Sequence, residues 1–460
     1  MRIALTLFIA LSIALIGNPA AAEQRALLVG VGKYQLPDAN LPGIDLDLER
    51  MREALNIMGF EDRQIKSLLD EEATAANIAR GIQTWLTDGV GPEDRVIFYF
   101  GGHGANVRDV DGDEDDGVDE ILMAHDTRII EENGKATLAG VISDDMISTM
   151  IGRIESRNIW IIVDACHSGT VTRDIFMLNR SLGNEPVYSR SYSYPGMPVG
   201  EPQFGKSIAK DASDNFVGLS AATDREQAIG NANGGFFTIG LTKAIHRHAQ
   251  NGTPMNVNTL RDEAAAYIRQ AVDASKVHNP QVTGNADLAA GALKIIPLAD
   301  GNGPNWRRVE DFVKAQGQPL ELSTNQSTYR FGQPVVLNMT IPVDGYLNVV
   351  TVDSKDNATV LFPNRYHSNH LVKAGAFSIP TEQMTFELPA SEPAGPTLVA
   401  AFLTTKPVNF YESSVDERTA EGTLDVDFSS MSHTATRAIK VAAREDKAFA
   451  SMVKIDVTQQ

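Results

Sequence analysis

The chain of 460 residues contains a single cysteine, Cys166. Without a second thiol no internal disulfide can form, so bridges do not hold this fold together. Positive charge is also scarce. Against 59 Asp+Glu stand only 40 Lys+Arg, for a formal net charge of −19. That balance excludes a phosphate-backbone binder, which needs a basic surface, so no nucleic acid is expected as a partner. It suits a soluble protein that attracts cations or basic peptides. Long apolar runs are missing too, apart from the N-terminus. There Arg2 precedes the apolar run Ile3 to Ile16, and Pro19-Ala20-Ala21-Ala22 offers a small-residue cleavage site. This reads as a signal peptide over residues 1–22. A run of about 14 residues is short of the roughly 20 that span a bilayer. The expectation is therefore an exported, periplasmic or extracellular protein with no membrane span after signal cleavage.

Hydrophobic residues make up 43% and charged residues 22%, so the chain is ordinary globular material, long enough for two or three domains. Apolar runs at 25–32, 65–69, 95–100, 158–163 and 216–221 read as strands. Helical spacing recurs at 45–58, 73–86, 144–154 and 236–248. This alternation predicts an α/β domain with a largely parallel sheet over residues 23–298. Residues 171–215 break the rhythm, and a loop of that length is uncommon unless functional. Ala299-Asp-Gly-Asn-Gly-Pro304 opens a linker expected over 299–318. Beyond it, short β-rich runs at 334–341, 345–352, 358–362 and 398–403 predict an all-β sandwich domain over 319–460.

Two of the predicted strands end in reactive side chains, His103 and Cys166. Sites in open α/β sheets gather at the carboxyl ends of parallel strands. A thiolate attacking a carbonyl needs a base and backbone donors for the oxyanion, and glycines around His103 allow close approach of main chain. Position alone leaves two readings open: a nucleophile with its base, or a turn histidine beside a buried core cysteine.

The surrounding motifs are specific. Phe98-Tyr-Phe-Gly-Gly-His-Gly104 and Asp164-Ala-Cys-His-Ser-Gly169, in that order, closely resemble the paired motifs of the caspase-like peptidases, specifically the metacaspases and their bacterial relatives. Arg25 to Gly32, Leu41 to Asp47, the acidic run Asp111 to Glu120, Leu219-Ser-Ala-Ala and Gly235-Phe-Phe-Thr238 extend the likeness across about residues 24–296. The resemblance implies a caspase-like three-layer α/β/α domain. It implies Cys166 as nucleophile, His103 as general base and acid, and the N–H groups of Gly104 and Cys166 as oxyanion hole. Asp47 and Asp164 match acidic positions of the specificity pocket. Carboxylates there select a cationic P1 residue, so the expected substrate is a polypeptide cut after Arg or Lys.

The family often carries Ser where this chain has Gly101, so one pocket hydrogen bond is expected to be absent. Ala165 replaces a cysteine common in eukaryotic metacaspases. His167, next to the nucleophile, is expected to be structural. The run Asp109 to Glu120 holds eight acids in twelve residues. It is no EF-hand, because Glu114 stands where glycine is required. By resemblance, Asp119, Asp144 and Asp145 match a calcium site, so calcium is the one cofactor expected, while Arg173 stands where a further aspartate is usual and counts against it. The same resemblance makes Arg173, Arg180, Arg190, Lys206 and Lys210 candidate self-cleavage positions. Motifs at 329–335, 344–353 and 360–364 resemble an uncharacterised β-sandwich domain found behind bacterial caspase-like domains, whose protein partner is unknown. His367 and His370 there are expected at the surface, without the further ligands a metal needs.

These expectations add up to an exported metacaspase-like cysteine endopeptidase. The alternatives are a catalytically silent binding module of the same fold, and a related peptidase preferring Asp or Asn at P1.

Overall fold

A computed structural model describes residues 23–109, 117–132, 134–166, 178–182, 185–198, 215–223, 226–298, 301, 303–316, 318–364, 366–413 and 448–459. The N-terminal region is built on a six-stranded sheet. Its strands are β1 (Gln24–Gly30), β2 (Ile65–Leu69), β3 (Arg95–Gly101), β7 (Asn158–Asp164), β10 (Phe216–Ser220) and β13 (Gln281–Gly284), in the spatial order β13-β10-β7-β3-β1-β2. All pairs are parallel except β10 with β13 at the edge. Every residue of β3 is buried, as expected for a strand covered on both faces.

Alternation along β3 separates two cores. Ile97 and Tyr99 face α1 (Ile44–Ile57), α4 (Phe236–Asn251) and α5 (Val257–Ala271), where Leu48, Leu55, Leu241 and Leu260 pack. Val96, Phe98 and Phe100 face α2 (Ala75–Arg80) and α3 (Asp144–Ile151), with Ile78, Ile147 and Ile151. Three layers result, as the resemblance implied. The helix expected at 73–86 is shorter. Thr74 caps α2 by accepting from Asn77 N, and Gly81–Trp85 continues as one wider turn. There a Cβ on Gly81 would lie 2.8 Å from Leu27, so glycine lets that turn close on β1.

Beyond the carboxyl end of β3 the chain forms an antiparallel meander that the sequence reading does not anticipate: β4 (Gly104–Arg108), β5 (Val118–Glu132) and β6 (Lys135–Ser143). A second small sheet has the order β12-β11-β9-β8, from β8 (Leu178–Leu182), β9 (Glu185–Ser189), β11 (Ile229–Asn231) and β12 (Gly234–Gly235).

The C-terminal region is strand-rich. A seven-stranded sheet centred on Gly345–Val352, Gly395–Thr404 and Ala448–Thr458 packs against a three-stranded sheet that includes Leu337–Ile341 and Gly375–Ile379. Leu337, Met339, Leu347, Val349 and Leu403 share their common core. The stretch expected as linker carries a helix, Pro304–Lys314, whose Trp306, Val309 and Val313 pack on Val350, Leu398 and Phe402. Its glycine- and proline-rich start conceals that apolar stripe. Arg308 of this helix pairs with Glu53 on α1, and His246 on α4 with Asp356, joining the two regions. His370 is not at the surface: it is buried with its ring 5.3 Å from Tyr346, while His367 is half-buried and stacks on Phe362. Both rings add to local packing.

Candidate active site

β3 and β7 are neighbours in register, Gly101 opposite Asp164, so their carboxyl ends stand level. His103 lies two residues past β3 and Cys166 two past β7, which brings both to the same rim of the sheet. Both are buried, at 3% and 4% exposure. The backbone N–H of His103 donates to the Tyr34 hydroxyl at 2.8 Å. The His103 ring sits between Tyr34 and Tyr192, with centroids 5.4 and 5.9 Å away. Burial pushes the imidazole down to about 3, with the nearby Arg190 charge acting in the same direction and backbone contacts opposing. It is neutral at physiological pH.

Asp47 and Asp164 converge on one buried group, and it belongs to this chain. The Arg190 guanidinium, 2% exposed, places Nη2 at 2.6 Å from Asp47 Oδ2 and Nε at 3.4 Å from Asp164 Oδ1. Asp47 also accepts from Gly235 N at 3.0 Å, with Arg50 Nη1 3.8 Å away. Asp164 Oδ2 accepts from Thr238 Oγ1 at 2.6 Å and Thr238 N at 3.3 Å, in the first turn of α4. That turn's free N–H groups and dipole favour a carboxylate. Burial raises Asp47 to about 6, and Asp164 adds to the rise while Arg190 and Arg50 oppose it. Burial would lower Arg190, but the Asp164 and Asp47 charges more than reverse this, so it ends above its ordinary value and is charged.

The pocket walls explain two sequence features. A Cβ on Gly235 would collide with Asp164 Oδ2 and lie 2.5 Å from Arg190 Nη2, and one on Gly234 would collide with Asp47 Oδ1. At Gly101, a Cβ would come within 2.8 Å of the Tyr99 hydroxyl, which is hydrogen-bonded to Thr238 Oγ1 at 2.8 Å. The Tyr99–Thr238–Asp164 chain thus takes the space that a serine at 101 would need.

The backbone around Arg190 is as informative as its side chain. Tyr188 and Ser189 pair antiparallel with Gly230 and Ile229, and Arg190 N donates to Ala228 O at 2.9 Å. The Arg190 carbonyl then accepts from Gly104 N at 3.0 Å and Cys166 N at 3.3 Å. Ser191 forms a parallel bridge with Gly104, and Tyr192 N donates to Gly104 O at 2.8 Å.

Sequence reasoning names Asp47, Asp164, His103, Gly104 and Cys166, and the fold brings all five around Arg190. It names Arg190 only as one of five basic positions in an aperiodic segment, it quotes Gly235 and Thr238 as part of the family likeness without giving them a role, and it misses Arg50 and Gly234. Of the other four basic positions, Arg180 is in β8, while Arg173, Lys206 and Lys210 lie outside the described residues, as does His167. Asp119 is the second residue of β5, and Asp144 and Asp145 open α3. The pairing of Ile121 with Ser143 sets the three at one end of the β5–β6 ladder. Among the described residues no group of three or more His, Cys, Asp or Glu is disposed to hold a metal. Calcium takes six to eight oxygens, and residues 110–116, five of them acidic, are outside the described set.

A family model for the caspase domain matches residues 23–284, more than half of the chain. The chain belongs to the caspase-domain peptidase family. As a member it is a cysteine-type peptidase, and its substrate is a polypeptide. This caspase-domain peptidase is 29% identical to metacaspase-2 of Arabidopsis thaliana over 333 residues, covering 69% of this chain and 74% of that protein. It is 26% identical over 303 residues to metacaspase-1 of Cryptococcus neoformans, covering 57% of this chain and 64% of the relative. It thus spans about three quarters of one of these relatives and less than two thirds of the other. A solved Geobacter sulfurreducens structure, protein GSU0716, is 21% identical with a TM-score of 0.41, covering 60% of this chain and 98% of its own. Residues 328–407 match a model described as a domain of unknown function, DUF4384. Among the described residues no helix is long and apolar enough to cross a membrane.

Proposed function

We propose that this peptidase cleaves polypeptides after Arg or Lys, with Cys166 as nucleophile and His103 as its base. One observation carries the reading: a basic residue, Arg190, has its guanidinium between Asp47 and Asp164 while its carbonyl accepts from Gly104 N and Cys166 N. The same two contacts are what a bound P1 residue would need. A guanidinium between two buried carboxylates gains charge-assisted hydrogen bonds that an Asp or Asn side chain cannot make.

In the proposed cycle the neutral His103 imidazole takes the Cys166 thiol proton. The thiolate attacks the P1 carbonyl carbon, and the two N–H groups hold the developing oxyanion. His103 returns the proton to the leaving amine, and water hydrolyses the thioester. Export is proposed from residues 1–22 alone. Residues 319–460 are proposed as a separate sandwich domain that meets a protein partner.

The test uses the full chain and a matched Cys166→Ala protein on peptides that differ only at P1 (Arg, Lys, Asp, Asn), with calcium and with chelator. Turnover of the Arg and Lys peptides is expected, and Cys166→Ala should lose it by at least about a thousandfold. Turnover of the Asp or Asn peptide instead would overturn the pocket assignment. No turnover in any lane would favour the silent module. The chelator lane reads calcium dependence directly.

A further inference from the structure

We propose that the C-terminal region braces the P1 pocket, with Arg308 and Asp356 as positioning residues that hold the two helices on which the pocket carboxylates depend. The proposal rests on the reading of Asp47 and Asp164 as the P1 pocket and adds what keeps them in place. Asp47 belongs to α1, and Asp164 Oδ2 is held by Thr238 of α4. The pocket ends of the two helices meet where Asp47 accepts from Gly235 N, at the start of α4. Both helices also reach the C-terminal region. Glu49 and Glu53, two and six residues beyond Asp47 on another face of α1, receive Arg308, with Nη2 at 3.5 Å from Glu49 Oε2. On α4, His246 lies eight residues, or about 12 Å of helix, beyond Thr238. Its Nε2 stands 3.0 Å from Asp356 Oδ2, and Gln250, one turn on, donates to Asn357 Oδ1 at 2.8 Å.

Both struts come from one unit. Asp356 Oδ2 accepts from Asn305 N at 3.0 Å and Oδ1 from Trp306 N at 2.8 Å, so it fixes the start of the helix that carries Arg308. That helix is packed on the C-terminal sheet through Trp306, Val309 and Val313. Asp356 is 2% exposed, and its φ of 68° is left-handed, a conformation side chains rarely adopt. A Cβ on Gly303 would collide with its carboxylate. A tether between two independent domains needs neither a buried carboxylate in a left-handed turn nor an arginine, 17% exposed, set against two glutamates. The pocket supplies the need. Asp47 and Asp164 repel each other whenever no cation lies between them, and the push falls on α1 and α4. A body fixed to both helices outside the pocket opposes their separation. It keeps the carboxylates at the spacing that a P1 guanidinium fits.

The test is steady-state kinetics of the full chain on peptides with Arg or a neutral residue at P1, per active site counted by covalent titration of Cys166. Arg308→Met should raise KM for the Arg peptide by roughly three- to tenfold and leave kcat unchanged, narrowing the gap to the neutral peptide. Arg308→Lys, which can still pair with a glutamate, should restore most of the loss. Glu53→Gln should act like Arg308→Met, and in the double variant the two effects should not add, because they break one link. His246→Leu tests the α4 strut in the same way. Glu53→Gln and His246→Leu keep the proposal open to refutation should Arg308→Met fail to fold. Glu310→Gln is the control: it parts the same helix from Lys454, 2.8 Å away in its own region, and KM should stay. A lower melting temperature or fewer active sites, with KM unchanged in the Arg308, Glu53 and His246 variants, would overturn the proposal and leave the peptidase reading standing. So would a rise in KM with Glu310→Gln equal to theirs. A parent chain that prefers the neutral peptide, or turns over neither, would overturn the pocket reading beneath it.

Discussion

The two regions of this molecule bury polar groups in opposite ways. In the strand-rich C-terminal region, Asn348 is fully buried, donating to Val408 O at 2.8 Å and accepting from Phe410 N at 2.9 Å. It is neutral, satisfied on both sides, and ties a loop to a sheet. In the peptidase region, Asp47, Asp164 and Arg190 are equally buried but charged, and Asp164 Oδ1 faces Arg190 Nε at 3.4 Å without a hydrogen bond. Burying charge is expensive, and a pair that does not close fully is poor scaffolding. The difference teaches where to look: satisfied neutral burial builds the frame, whereas incompletely satisfied charged burial at strand ends singles out the candidate site.

The sharpest break in that comparison is Asp164→Asn set against Asn348→Ala. The first keeps shape and removes one of two pocket charges. With removal of one partner of a buried ion pair costing about 3–5 kcal/mol, kcat/KM for an Arg peptide should fall by at least about a hundredfold, with discrimination against neutral P1 residues reduced alongside. Asn348→Ala should cost about 1–3 kcal/mol of stability, read as a lower melting temperature, and leave P1 preference untouched. If both variants altered specificity alike, the distinction between frame and site would fail.

Paired glycines give the next contrast. Gly235→Ala drives a methyl into the Asp164 carboxylate and Arg190 guanidinium, whereas Gly345→Ala meets Thr404 O at 2.7 Å inside the C-terminal sheet. Both overpack, at about 1–3 kcal/mol. The first loss should fall on Arg and Lys peptide turnover, by roughly tenfold or more at that cost. The second should be read only in thermal unfolding.

Much of the site is legible because its chemistry sits on strongly patterned elements. The apolar runs ending at Gly101 and Asp164 declare buried strands, and the residues just past each run are held at the sheet rim by chain connectivity alone. Arg190 is not singled out, because its place depends on Tyr188 and Ser189 pairing with residues about 40 positions later, which no local period encodes. The same holds for the β4–β6 meander, whose register is set by pairing and not by hydropathy. Helix α5 escapes for another reason: Val257, Leu260, Ala264 and Ile268 keep helical spacing, but alanines blur the stripe.

Acid should separate the regions by sign. Asp47 is raised to about 6, so its charge, and with it the grip on Arg190, is present above that pH and lost as pH falls through it. Turnover of Arg peptides should decline below about pH 6. His103, at about 3, contributes nothing to that limb. A carboxyl raised on folding makes the folded state the better proton binder. Asp47 therefore favours folding most below its ordinary value of 3.8, and that contribution declines as pH rises towards 6. Glu310, by contrast, is held down at about 2, chiefly by its hydrogen bond from Lys454. Its contribution is present above 4.5 and is lost as pH falls towards 2. Melting curves from acid to neutral pH for Asp47→Asn and Glu310→Gln should therefore diverge from the parent in opposite directions.

The smallest effect compares two buried tyrosine hydroxyls. Tyr194→Phe keeps the ring and removes the donation to Asn106 O at 3.0 Å together with a contact to Thr137. Tyr329→Phe, in the C-terminal region, removes the donation to Asn325 Oδ1 at 2.6 Å and the acceptance from Gln326 N at 2.9 Å. A hydrogen bond is worth about 0.5–1.5 kcal/mol net, so each variant should lower the melting temperature by a few degrees. Only Tyr194 lies two residues beyond Tyr192, whose ring stands 5.9 Å from that of His103, so only its loss should also change turnover of an Arg peptide, by roughly two- to tenfold. Equal effects of the two variants on turnover would mean that general loosening of the fold, and not the surroundings of His103, sets the rate.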